Sequence, residues 1–428
     1  MLIGLVVLSV SAFPAHLANA SGTSFVLHWT RSSERIEGMS VEDINHDGRS
    51  EVVYAYWSGV VYAVGEYNRT LWSFNAGWYT KISAGDLDHD GRVEVVVASA
   101  DGHVYCLNGL DGSQIWAYPT AELAVHGNLT LTDVDGDGNL EVVTGEWDSS
   151  VSSESPAKVC VIASNGSLVW DHAFTDGTVS YAEDVDNDGR SEVTVYWGRP
   201  QLRSKGWLTM LNGNGSIRWE KELSGTAWGS VVFADVNNDG VRETIMCRDN
   251  DSALLILNSM TGAETVVPNN YGDLMSCVDG RLFTWKNDTL FAIDCNANKI
   301  WEQQAIGFPA DDFPYVSSAD FDRDGKKDLF VFCDGGVYVF SFDCALIWSD
   351  MTPKNAVENC IGDVNGDGRL GLALGSETGV LVYKNAIGSV GGYYVQLNKQ
   401  MIVAAIVAHM ALVAGATVVF VRIRRRRK

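Results

Sequence analysis

Residues 86–116 read DLDHDGRVEVVVASADGHVYCLNGLDGSQIW, and this stretch sets out one structural unit. An acidic, glycine-hinged loop (Asp86 to Glu94) comes first. A β-branched run follows (EVVVASA), then a turn at Asp101-Gly102, a second strand pattern (HVYCLN), a glycine-rich hairpin, and a third strand ending in Trp116. Apolar alternation bounded by Gly, Asp and Asn is the signature of short strands joined by tight turns. A further short strand leads into the next acidic loop. Each unit thus holds four strands, the content of one β-propeller blade.

The loop recurs at Asp43, Asp86, Asp133, Asp184, Asp235, Asp320 and Asp363, at intervals of 43 to 51 residues apart from one of 85. That long interval spans two units, with a loop lost near Asp279-Gly280. Trp72, Trp116, Trp170, Trp219, Trp301 and Trp348 close the third strand patterns, and Val266 or Val267 stands in for the residue in one unit. Trp29 precedes the first loop by the same 14 residues that separate Trp72 from Asp86, whereas the last unit has no closing tryptophan. The N-terminal strand therefore supplies the fourth strand of the last blade. The expected fold is all-β, an eight-bladed propeller closed by an N-terminal strand, with seven blades as the alternative if the degenerate unit is skipped.

Each loop offers oxygen at positions 1, 3, 5 and 9, and a main-chain carbonyl at position 7, around a glycine at position 6. The sets are Asp43, Asn45, Asp47, Arg49 and Glu51; Asp86, Asp88, Asp90, Arg92 and Glu94; Asp133, Asp135, Asp137, Asn139 and Glu141; Asp184, Asp186, Asp188, Arg190 and Glu192. They continue with Asp235, Asn237, Asp239, Val241 and Glu243; Asp320, Asp322, Asp324, Lys326 and Asp328; and Asp363, Asn365, Asp367 and Arg369, with Gly371 in place of the last acid. Oxygen-only cages rich in carboxylate suit Ca2+, which takes six to eight such ligands. Zinc or copper would call for His or Cys. Up to seven calcium sites are expected, the one at Asp363 weakest. An EF-hand needs Glu at position 12, but these loops have Tyr54, Val97, Thr144, Val195, Met246, Val331 and Leu374 there, all within strand patterns.

The D-x-[DN]-x-D-G-x-x-[DE] loop with its following strand resembles the FG-GAP repeats of integrin α-subunit propellers and related bacterial and archaeal surface proteins, over roughly residues 25 to 385. The Trp-ended hairpins, LNGLDGSQIW above all, look like the repeats of quinoprotein propellers, which also have eight blades. The first resemblance implies that the loop is a calcium hairpin.

At the ends, residues 1–20 read as a secretory signal, with an apolar run from Leu2 to Phe13 and Ala18-Asn19-Ala20 before the cleavage point. The propeller takes residues 21–385 and a linker 386–400. Residues 401–421 are uncharged, long enough to span a bilayer as a transmembrane helix, and followed by the basic tail 422–428. A single-pass cell-membrane protein with an extracellular propeller and a cytoplasmic C-terminus is expected, and Ala404, Ala408, Ala411 and Gly415 offer small-residue pairs for weak helix-mediated dimerisation. The formal charge of -23 disfavours nucleic acid as a partner. Eight cysteines without a CxxC give no zinc or redox motif, and six N-x-[ST] sequons are open to glycosylation.

Because the acidic loops join the first two strands of each blade, the 2–3 turns and 4–1 connections are left on the opposite face. Trp57, Trp78, Trp147, Trp197 and Trp228 fall there and are the ligand-face candidates. Packing between blades is the competing role for such large aromatics. No nucleophile elbow, zinc signature or adjacent cysteine pair appears. A non-enzymatic binding or adhesion module for a protein or carbohydrate is the first functional reading. A calcium-dependent polysaccharide lyase or quinone-dependent dehydrogenase is the alternative.

Overall fold

The apolar runs are strands buried on both faces, because every blade is sandwiched between two others. A computed structural model describes residues 23–120, 129–145, 157–174, 178–197, 206–223, 231–248, 251–287, 289–304, 315–333, 336–350 and 356–387. They form eight four-stranded antiparallel sheets. Blade 1 comprises Ile36–Glu42, Glu51–Tyr56, Val60–Gly65 and Arg69–Asn75; blade 2 comprises Thr80–Gly85, Glu94–Ser99, His103–Asn108 and Gln114–Pro119. Blades 3 to 7 follow over 129–174, 178–222, 232–267, 273–304 and 315–350. Blade 8 takes Ala356–Gly362, Gly371–Ser376 and Gly379–Ile387 from the C-terminal end, with Thr23–Ser32 as its fourth strand. Eight blades and the N-terminal closure are both as the repeat spacing predicts.

Strand alternation builds the cores between blades. Val95 and Val97 of blade 2 pack with Val53, Ala55 and Trp72 of blade 1, while Val96 and Ala98 on the same strand pack with Val142 and Ile162 of blade 3. This period of two is repeated around the ring in eight buried clusters, one for each adjacent pair of blades. The closing strand joins two of them, Phe25 packing toward blade 7 and Trp29 toward blade 1.

The closing tryptophans of blades 1 to 4 also stitch each of these blades to the next. Trp72 donates its indole N–H to the Gly109 carbonyl at 2.6 Å, and Trp116, Trp170 and Trp219 donate to Ser164, Gly213 and Ser259 at 2.8 Å. All four acceptors lie in the 3–4 hairpin of the following blade. A glycine in the same hairpin (Gly112, Gly166, Gly215 or Gly262) lies over the indole, at φ between +68° and +82° and with no room for a Cβ. Only glycine meets both demands.

Blade 6 departs from this scheme. Its lost acidic loop is replaced by the two-residue turn Asp279-Gly280, both at positive φ, the hairpin geometry that matches strand twist. Arg281, just after the turn, donates to the Phe342 carbonyl at 2.8 Å and stacks its guanidinium 3.7 Å from the Phe342 ring centroid. That carbonyl is the counterpart of the acceptors above, and the Trp301 indole N–H is buried without a partner. Cys344 stands at the glycine position with φ 73°. A Cys344→Gly substitution should relieve roughly 1 kcal/mol of backbone strain, partly offset by unfolded-state entropy. Calorimetry should show an increase in Tm of about 1 °C; a fall would refute the strain.

The expected membrane anchor is corrected. Apart from one 3-10 turn at Glu66–Asn68, the described chain is strand and loop, and no helix among the described residues is long and apolar enough to cross a membrane. The single-pass, cell-membrane placement, which rested on the uncharged run, the basic tail and the signal reading, is therefore not supported. Residues 401–421, to which that span was assigned, and the expected signal 1–20 lie outside the described residues.

Candidate metal centres and the opposite face

Every acidic loop joins the first two strands of its blade and closes through the same hydrogen bonds. The position-1 aspartate accepts the N–H of the position-6 glycine in all seven loops, at 2.6 to 3.1 Å. The position-5 aspartate accepts the N–H of position 7 (Arg49, Arg92, Asn139, Arg190, Val241, Lys326 or Arg369) at 2.7 to 3.0 Å. In five loops the position-9 acid accepts the N–H of position 2 at 2.8 to 3.2 Å. The chain thereby curls around its own carboxylates.

These bonds leave oxygens directed at one another. Ligand atoms of Asp86, Asp88 and Asp90, of Asp133, Asp135 and Glu141, of Asp184, Asp186 and Glu192, and of Asp320, Asp322 and Asp328 converge within 4.8 Å in each group. Buried oxygens of Glu51, Asp86, Asp186 and Asn365 have no hydrogen-bond partner. Orphaned acceptors beside ionised carboxylates fit a hard cation.

The position-9 acids are buried. Burial, reinforced by the neighbouring Asp47 and Asp43, pushes Glu51 up to about 8. Burial is also the main cause that raises Glu141, Glu192 and Asp328 to about 7, and it raises Glu94 and Glu243. The seventh loop lacks this acid for a steric reason: a Cβ at Gly371 would lie 2.5 Å from the Tyr383 carbonyl.

Two features escape a reading of the acids alone. Position 2 is always apolar (Ile44, Leu87, Val134, Val185, Val236, Phe321, Val364), and most of these side chains are anchored in an inter-blade core. Their constant apolarity was a legible signal. Arg218 gave none. From the fourth strand of blade 4 it reaches Glu192 at 2.7 Å and Asp186 at 3.2 Å, while Asn212 accepts from its Nε at 2.6 Å. Loop 4 thus holds a guanidinium against two of its three clustered acids.

Among the ligand-face candidates, Trp57 and Trp78 are 45% and 49% exposed. Trp197 is half-buried, stacked on Trp207 with ring centroids 5.5 Å apart and bonded to the Thr209 hydroxyl. Trp147 and Trp228 lie outside the described residues.

Fold and loops together define a β-propeller whose blades repeat an acidic hairpin. Residues 43–97 match the FG-GAP-like repeat family, and residues 77–157 match the lambda-carrageenase beta-propeller domain. Both matches, which together span residues 43–157, support an FG-GAP-type β-propeller. No curated protein matches it by sequence. Among solved structures, Saccharomyces cerevisiae Sqt1 is similar with a TM-score of 0.62 at 11% identity, over 85% of this chain and 99% of that one. The computationally designed Ika8 protein follows with a TM-score of 0.58 at 12% identity, over 85% and 100%. BBS1N, from its complex with ARL6DN, has a TM-score of 0.52 at 11% identity, over 86% and 98%. At such identities the likeness is one of fold alone.

Proposed function

We propose that the acidic loops bind calcium as structural ties, and that the propeller serves as a binding module for a protein or carbohydrate through the face opposite them. The orphaned, converging carboxylate oxygens carry the calcium part, since an oxygen-only set with flexible coordination number suits Ca2+ better than Mg2+. Trp57 and Trp78 carry the second part. Binding residues are disproportionately found on loops of a rigid scaffold, and exposed indoles offer large apolar contact faces. The match to a carrageenase propeller domain over residues 77–157 favours one further reading, an enzyme acting on polysaccharide. Incubating the protein with polysaccharides and sizing the products separates the two: shortened chains would replace the binding-only view.

Loop 4 tests the metal assignment residue by residue. With Arg218 already neutralising Asp186 and Glu192, this loop should take calcium least readily of those with a full set of acids. Arg218→Gln should add one bound ion per chain, or tighten one by about tenfold, in native mass spectrometry and calcium titration calorimetry. An unchanged count and affinity would show that the arginine does not compete. A wild-type protein that binds no calcium at all would remove the metal reading itself.

A further inference from the structure

Trp57 and Trp78 lie on turns that two glycines bring together. A Cβ on Gly59 would fall 0.7 Å from the Gly77 carbonyl oxygen, and Ala76 donates to the Gly59 carbonyl at 3.0 Å. This contact sets the 2–3 turn of blade 1 beside the connection into blade 2. Tyr79 completes the junction. Its N–H reaches the Trp57 carbonyl at 3.4 Å, its ring meets Trp57 edge-on with centroids 5.6 Å apart, and its φ is 49°. A bulky aromatic in the left-handed region is a genuine outlier, of the kind that clusters at binding sites.

Charged groups from three blades adjoin these aromatics. The Arg35 guanidinium lies 5.6 Å from the Trp57 ring centroid and pairs with Glu37 at 2.6 Å and Glu377 at 3.3 Å. Lys81 pairs with Glu358 at 2.7 Å and donates to the Glu37 carbonyl at 3.2 Å. Glu37 is buried and Lys81 only partly exposed, so this is a held network rather than a mobile surface.

We propose that Trp57, Trp78 and the Arg35–Glu37–Lys81–Glu358 network form a binding site for a neutral polysaccharide chain. Indole faces take the apolar C–H faces of sugar rings, and the fixed carboxylates and cations exchange hydrogen bonds with hydroxyls. Charge selects the neutral class. Both cations are already matched by three carboxylates, and the whole chain stands at -23, so a sulfated or carboxylated chain is repelled. The inference rests on the reading of the loop-free face as the working face.

Affinity electrophoresis of the full protein in gels containing galactomannan or β-glucan, against gels containing λ-carrageenan or alginate, is the test. Retardation by a neutral polysaccharide is expected, unaffected by added salt, with a loss of at least tenfold in Trp57→Ala and Trp78→Ala at unchanged Tm. Because both rings are about half exposed, the variants should fold. Retardation by the neutral chains that survives in the double variant would overturn the site. Salt-sensitive retardation only by the anionic chains would overturn the ligand class while leaving a binding face. No retardation in any gel would overturn the proposal and leave the protein-ligand arm of the broader reading to a separate test.

Discussion

Excess chelator should lower the Tm of the propeller by about 5 to 15 °C. At the 10⁻⁴ to 10⁻³ M affinity usual for such modules, about 2 mM free calcium stabilises each filled loop by roughly 0.6 to 1.8 kcal/mol. Six or seven loops then contribute about 4 to 12 kcal/mol, against an unfolding entropy near 0.8 kcal/mol/K for a ring of this size. The effect also has a pH signature. Without metal, Glu51 is raised to about 8 and Glu141, Glu192 and Asp328 to about 7, above the ordinary 4.5 or 3.8. A carboxyl raised by folding destabilises the fold only when ionised, so the contribution of these four groups to metal-free stability is fully present below their ordinary range and is lost as pH rises through 7 to 8. Calcium needs the ionised form. The gap between melting curves with and without calcium should therefore widen from pH 5.5 to pH 8.5. Coincident curves at pH 8.5 would end the structural-calcium reading; a gap independent of pH would detach it from the position-9 acids.

The ring was legible because a blade is specified within some 45 residues: loop, strand alternation and closing tryptophan all lie in one stretch, as in 86–116. Even the defect in blade 6 showed as a doubled interval, and the two-residue turn at Asp279-Gly280 is its physical form. What could not be read locally is which side chains of neighbouring strands meet. Trp197 ends its strand on the loop-free side, yet Trp207, directly across the sheet, covers it. Arg218 lies 26 residues from the Glu192 it neutralises, in a pattern that marks it only as an exposed strand position. The expected membrane helix failed differently. Hydropathy of a segment says that it can be buried in lipid, but no described helix supports that placement.

Removing the closing strand has the largest expected effect of any change to the ring. Thr23–Ser32 is hydrogen-bonded to Gly379–Ile387, with Thr30 donating to the Val380 carbonyl at 3.1 Å and a Cβ at Gly379 lying 2.0 Å from the Arg31 carbonyl. Phe25 and Trp29 are buried in two different inter-blade cores, while Val26 and Leu27 are 42% and 48% exposed. Phe25→Ala and Trp29→Ala should each cost about 3 to 5 kcal/mol, and the pair is then comparable with the whole stability of an ordinary domain. The double variant should lose its cooperative denaturant transition, whereas Leu27→Ala should change stability by less than about 0.5 kcal/mol. Deleting residues 23–32 goes further, since it bares the edge of blade 8 to pairing with other chains. A synthetic 23–32 peptide added during refolding should restore the transition, as it supplies both the missing hydrogen bonds and the two core side chains. If the deleted chain unfolded at the wild-type midpoint, the ring would not depend on its N-terminal strand; if Leu27→Ala were as costly as Phe25→Ala, the exposed placement of Leu27 would be wrong.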